Sequence, residues 1–367
     1  MLNGALMSRG HALVAQLSAR PRFAGSAAEA EARGLCRETL ERAGFACMEQ
    51  KFEYSEWPGR WGPPIAAAAR AAIIFAVAVT AERRGALPAL LLGAALLIAL
   101  AFISGDVTRR WIARFPLDRA SSINLEATRG TPTVWLVAHL DSKSQTVPML
   151  LRMASSIAAG VVFAIALGAL LLQLTGVEGV RVFWRWIAIA AGVAALPSVL
   201  CFVRNDSEGA VDNATGVAAV LVAAETVPET GKLGVLITSG EELGLAGAAA
   251  WAAKASAKPT MINCDTIDDA GSWRCMYSGM RPAKLARAIE TTSRRLGLKV
   301  TVGRMLPGIL ADSMAFSARG LESATISRGN LSTLARIHTR RDYSNALTGG
   351  GVAEASALLA ALVGELD

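Results

Sequence analysis

Long hydrophobic runs break up a chain that otherwise alternates between apolar and polar positions. Residues 65–81, 87–103, 157–174 and 182–203 are nearly continuous in apolar side chains, and each approaches the roughly 17–25 residues that a helix needs to cross a bilayer. The runs pair into two hairpins, one turning at Glu82, Arg83, Arg84 and Gly85, the other around Thr175 to Gly179. Outside them, short apolar strands alternate with helical spacing, the signature of an α/β domain. Residues 27–43 predict an amphipathic helix ending at Gly44, followed by a strand at 52–54. Further strands are predicted at 133–140, 233–238, 260–264 and 323–326, with helices at 216–225, 244–257, 282–296 and 352–366. The chain thus divides into an N-terminal helix and strand (1–62), a first hairpin (63–105), strands (106–148), a second hairpin (149–204) and the remainder of the α/β domain (205–367).

Composition strengthens the membrane reading. Of the 367 residues, 53% are hydrophobic and only 18% charged, too apolar for an ordinary soluble domain. The net charge of +7 is spread along the chain with no aromatic-plus-basic strand or recognition helix, which excludes a nucleic-acid partner and suits anionic lipid headgroups. Five cysteines make no CxxC pair, so neither a disulfide framework nor a thiolate metal site is expected. Residues 1–16 lack the apolar core and cleavage site of a secretory signal. Four spans return the chain to one side. Flanking cations there (Arg60, Arg109, Arg110, Arg114, Lys143, Arg152, Arg204) outnumber those at the hairpin tips (Arg83, Arg84, Arg181, Arg185), so the expected catalytic side is cytoplasmic. The adjacency of the spans to the motifs below leads to the expectation of a cleft near the bilayer that takes hydrophobic or membrane-derived peptides. The oligomeric state is not legible.

Three buried strands run into metal-ligand residues: VWLVAHLDS into His139 and Asp141, GVLITSGEE into Glu241 and Glu242, and TMINCDT into Asp265. In open α/β sheets, sites gather at the carboxyl ends of the strands. Asp212 lies in GAVDNATG before a helix and His338 in the polar loop RIHTRRD. Taken singly, Asp212 reads as a helix cap, Glu241 and Glu242 as acids at a helix start, Asp265 as a turn residue and His139 as a core histidine. Together they are two imidazoles and several carboxylates without thiolate, the donor set of a co-catalytic pair of zinc or similar first-row ions. Asp212 is the expected bridge. Of the neighbours Glu241 and Glu242, one would ligate and the other face bound water, while Asp141 would fix the His139 tautomer.

With HLDS at His139, GAVDNATG, EELGLAG, NCDT, ADSMAF at Asp312 and IHTRRD in this order, the chain resembles the co-catalytic zinc exopeptidases, which include bacterial leucyl aminopeptidases, aminopeptidase Y and glutamate carboxypeptidase relatives. The resemblance implies a three-layer α/β/α sandwich with a mixed, mostly parallel sheet, here carrying the two inserted hairpins. It implies two zinc ions, one on His139, Asp212 and Asp265, the other on Asp212, Glu242 and His338. Glu241 would be the general acid/base in aminopeptidase chemistry on a peptide substrate through a metal-bridging hydroxide, Asp141 would support His139, and Asp312 and Asp342 would belong to the substrate pocket. Ser313 stands where many relatives carry His. The alternatives are a single-metal cyclase or N-acyl amino acid amidohydrolase on the same fold, or a non-catalytic membrane receptor or scaffold.

Overall fold

The computed structural model describes residues 2–106, 115–255, 257–306 and 308–366, so Arg109, Arg110 and Arg114 of the charge count lie outside it. The chain forms two compact units. One comprises Met1–Tyr54, Arg119–Ser144 and Arg204–Asp367; the other comprises Ser55–Asp118 and Gln145–Val203.

The first unit is built on an eight-stranded sheet. In chain order its strands are β1 (Ala46–Ser55), β2 (Arg119–Arg129), β3 (Val134–His139), β4 (Leu233–Thr238), β5 (Thr260–Ile267), β6 (Ser272–Tyr277), β7 (Val300–Arg304) and β8 (Ser323–Gly329). Their spatial order is β1-β2-β4-β3-β5-β8-β6-β7. The central four, β4, β3, β5 and β8, run parallel, whereas β2 on β4 and β6 on β8 are antiparallel. Strands buried on both faces need apolar side chains at every position, and β3 and β4 are buried throughout. Alternation sends Trp135 and Val137 to one face, where they pack with Trp251 of the Ala246–Lys254 helix and with Phe316. The Thr215–Thr226 and Gly350–Leu366 helices pack on each other and on β3 and β5. Helices Leu2–Leu17 and Ala27–Arg42 join the same unit; the latter is capped by Ser26, whose side chain accepts the Glu29 N–H. Parallel β3, β4 and β5 therefore bring their carboxyl ends to one edge.

The second unit is helical. Its helices are Trp57–Arg84, Ala86–Asp106, Met149–Leu174 and Trp184–Val199. Among the described residues, three segments, Trp57–Arg84, Met149–Leu174 and Gly179–Val199, are long and apolar enough to cross a membrane. The remaining predicted run, 87–103, lies in the Ala86–Asp106 helix, whose described apolar part is Ala86–Ala101. Phe75, Ile157, Val161, Leu171 and Val193 are each more than half exposed, an apolar exterior that water disfavours and acyl chains accept. Inside, the polar groups are paired: Trp184 Nε1 donates to Gln173 Oε1 (2.9 Å), and Gln173 Nε2 donates to the Ala81 carbonyl (3.0 Å). Three helices are thereby tied by side-chain hydrogen bonds, the kind of contact that holds helices together where the hydrophobic effect is absent.

Candidate metal centre

Five side chains from five separate stretches of chain converge in the first unit. His139 ends β3, Asp265 lies near the end of β5, and Glu242 follows β4 by four residues. Asp212 precedes the Thr215–Thr226 helix, and His338 follows the Leu331–Arg336 helix, which Asn330 caps with a capping box. All five are buried. Ligand atoms of His139, Asp212 and Asp265 lie within 4.8 Å of one another, as do those of Asp212, Glu242 and His338, so Asp212 belongs to both groups. His139 Nε2 is 3.2 Å from Asp212 Oδ1 and 3.6 Å from Asp265 Oδ1. His338 Nε2 is 3.0 Å from Asp212 Oδ2 and 3.1 Å from Glu242 Oε1. Each imidazole nitrogen thus faces one oxygen of Asp212 and one oxygen of a second carboxylate.

This donor set fits cations. A ring nitrogen carries at most one hydrogen and cannot donate to two carboxylates at once. His139 Nδ1 sits 3.0 Å from the Asp141 carbonyl, which can only accept, so Nδ1 carries the proton. In the neutral ring Nε2 then presents a lone pair to carboxylate oxygens. Only an added proton or a metal ion makes that arrangement attractive. Glu242 Oε1, although near His338, has no hydrogen bond of proper geometry, and His338 Nδ1 is buried without one. Electrostatics agree. Burial works against charge on both histidines, yet Glu241, Asp212 and Asp265 around His139, and Glu242 and Asp212 around His338, raise both above the ordinary imidazole range. Burial pushes Asp212 upward, but the adjoining His139 and His338 rings, when charged, outweigh it and hold this carboxylate well below its usual range.

The surrounding residues hold the five in place. Asp141 does so differently from the sequence expectation: its backbone carbonyl, not its carboxylate, is at hydrogen-bond distance from His139 Nδ1, and Oδ1 is 3.8 Å away. The carboxylate instead accepts the N–H groups of Glu241 and Glu242, both at 3.2 Å, fixing the turn after β4. Asp312 and Asp342, expected in the substrate pocket, are both fully buried. Asp342 accepts the N–H groups of Val211 (2.8 Å) and Asp212 (3.1 Å), and Asp312 accepts from the Thr238 hydroxyl. Both are thus held against protein groups, because a carboxylate in a dry interior needs donors. Glu241 is buried beside the cluster. Burial, with the charges of Glu242, Asp265 and Asp312, raises its pKa well above the carboxylate range against the opposing pull of His139.

Three contributors, Arg22, Asn213 and Lys143, were not singled out as site residues by the sequence. Arg22, fully buried, donates to the carbonyls of Leu17, Leu140, Glu208 and Gly209, joining the loops before Asp141 and Asp212. Asn213 donates to the Cys264 carbonyl and accepts from Gly216 and Thr266, seating the Asp212 turn against the end of β5. Lys143, counted from sequence among the flanking cations, forms an ion pair with Glu242 at 2.8 Å. Its place directly after HLDS, like that of Asn213 directly after Asp212, is the signal that could have found it. His338 and Thr266 adopt positive φ of 58°, which a side chain adopts only at a cost of about 1–2 kcal/mol.

The family model for peptidase family M28 matches residues 190–363. No curated protein matches the chain. Among solved structures, the chain is similar to a zinc aminopeptidase from Bacillus subtilis (TM-score 0.56, 14% identity, 97% of this chain and 94% of that one). It is also similar to a Zn-dependent exopeptidase from Parabacteroides distasonis (0.57, 14%, 97% of each). A third similar structure is the glutaminyl cyclase of Fimbriiglobus ruber (0.54, 13%, 98% and 95%). At such identities the likeness is one of fold.

Proposed function

We propose that the chain, whose residues 190–363 match the model of peptidase family M28, is a hydrolase of that kind: a membrane-embedded aminopeptidase working with two zinc ions. The observation that carries this reading is the pair of three-residue ligand groups sharing Asp212, one on each oxygen of a single carboxylate. That is the arrangement a bridging ligand requires. His139, Asp212 and Asp265 would hold one ion; Asp212, Glu242 and His338 would hold the other. When bound, such ions make water a better nucleophile near neutral pH and polarise the scissile carbonyl.

The protein's own groups do the rest. Glu241, buried next to the ligands and held by Asp141 through its backbone N–H, accepts the proton of the attacking water and returns it to the departing amine. Asp141 fixes Glu241 and Glu242 together, so acid/base and ligand share one rigid turn. The partners in this reading are a peptide with a free N-terminus and membrane lipid. Four crossings, counting the Ala86–Asp106 helix, would leave the catalytic unit on the cytoplasmic side.

The test uses the full chain purified in detergent. Zinc-loaded protein is expected to release amino acids from aminoacyl amides, and Glu241→Gln is expected to keep its metal while losing at least ~100-fold in turnover. Undiminished turnover would remove Glu241 from this role. The similar cyclase fold gives the second reading: a cyclised product formed without uptake of water, with one metal per chain, would replace hydrolysis.

A further inference from the structure

The two ligand groups are alike in composition, each with one imidazole and two carboxylates and with Asp212 common to both, yet their surroundings differ in charge. Beside Glu242 stands Lys143, whose side chain is only 13% exposed. Its ammonium donates to the Glu242 backbone carbonyl at 2.8 Å and contacts Glu242 Oε2 at 2.8 Å. The other oxygen of that carboxylate, Oε1, is the one turned to His338 Nε2. One oxygen of Glu242 is thus taken by a fixed cation and the other is left for a ligand role. The His139 side has no counterpart among the described residues. Its nearest charged neighbours are carboxyl groups: Asp141 lies 3.8 Å from His139, and Glu241 and Asp312 act electrostatically on the same imidazole, while the Arg22 guanidinium is spent on main-chain carbonyls, Leu140 among them, and not on a ligand carboxylate.

We propose that the two cation positions are unequal by construction: the His139–Asp212–Asp265 position binds tightly, the Asp212–Glu242–His338 position weakly and exchangeably, and Lys143 sets the difference. This inference rests on the two-ion reading above. Lys143 could act on the second position in two opposed ways. Orienting Glu242 would favour binding, whereas a positive charge held against a ligand carboxylate repels an incoming dication and draws charge from its donor oxygen. Charge wins. The backbone carbonyl of Glu242 already anchors the ammonium, and Asp141 already fixes the turn, so little orientation remains to be supplied. Repulsion between a unit charge and a divalent ion a few ångströms apart in a buried site, by contrast, exceeds a single hydrogen bond. In return, Lys143 neutralises Glu242 when a single ion is bound. The second position therefore responds to the available metal concentration while the first stays filled.

The measurement is zinc affinity of the full chain in detergent, by competition with a chromophoric chelator. Wild type is expected to show two classes of site separated by at least ~10-fold. Asp265→Asn should remove the tight class and Glu242→Gln the weak one. Lys143→Met, which keeps the length of the side chain and loses its charge, should tighten the weak class by about 10-fold and leave the tight class unchanged, and Lys143→Arg should preserve the separation. Retained tight binding shows that a variant is folded; Lys143→Gln makes the same comparison if the Met variant does not retain it. Two equal sites in wild type, or a weaker second site on removing the charge, would overturn the proposal. A wild type that binds one zinc or none would instead remove the two-ion reading beneath it.

Discussion

Asp342 shapes the centre through the backbone alone: its carboxylate receives the N–H groups of Val211 and Asp212, so the shared ligand is aimed from behind. Groups that orient a ligand in this way carry about 10–100-fold in metal affinity. Asp342→Ala should therefore weaken zinc binding by about that factor while leaving the fold in place, with Asn intermediate because it keeps one acceptor; chelator competition measures both. At this scale the sequence was informative where chemistry forces residue type. His139, Asp212, Glu242, Asp265 and His338 are the residues the motifs singled out, and the structure brings all five together. What sequence did not convey was which atom of a residue acts. Asp141 meets His139 through a carbonyl and Glu241 through a carboxylate, and Lys143 faces inward; both depend on the path of the loop after β3.

Among elements, the Thr215–Thr226 helix is the one on which the centre leans. Gly216 lies in its first turn, and a Cβ there would overlap Asn213 Oδ1 and come within 2.5 Å of the Cys264 carbonyl. Alanine normally favours a helix by up to about 1 kcal/mol. Here overlap with fixed groups dominates, so Gly216→Ala should destabilise by about 1–3 kcal/mol and lower zinc affinity. Gly364, in the Gly350–Leu366 helix with open space around it, should gain stability from the same change; thermal unfolding distinguishes the two. The start of that last helix depends on Asp269, which accepts the Gly351 N–H (2.7 Å) and the N–H and hydroxyl of Thr348. Burial opposes charge on Asp269, but these bonds outweigh it and lower its pKa. A depressed pKa means the stabilisation is complete above the unfolded value of about 3.9 and fades as pH falls through the folded one. Asp269→Ala should thus cost about 1 kcal/mol at pH 7, moderated by its partial exposure, and the difference from wild type should vanish at acid pH. The strands the sequence did not single out, β2, β6 and β7, lie toward the sheet's edges, where polar alternation replaces the unbroken apolar runs of β3 and β4. Their pairing comes from neighbours far away in the chain, which a local pattern does not contain.

For the molecule as a whole, the proposed topology is the property to test. The tips of the helical unit carry Arg83, exposed on its helix, whereas Arg281 lies in the sheet-bearing unit with its side chain about half exposed. Four of the native cysteines are buried and Cys47 is partly so, which leaves a low background for labelling. With an impermeant maleimide, Arg83→Cys should be modified in intact cells and Arg281→Cys only after permeabilisation; the reverse pattern would put the catalytic unit outside.

The sheet-bearing unit is assembled from three stretches of chain separated by the helical one. On a ribosome, His139 therefore emerges well before Asp212, Asp265 follows, and His338 comes last of the five. A growing chain that has not yet reached His338 lacks the full ligand set, and the segments of the helical unit between His139 and Asp212 are made before the second ligand follows. Discontinuity of this sort makes the cluster a product of long-range closure: no local stretch of chain can bind the ions alone.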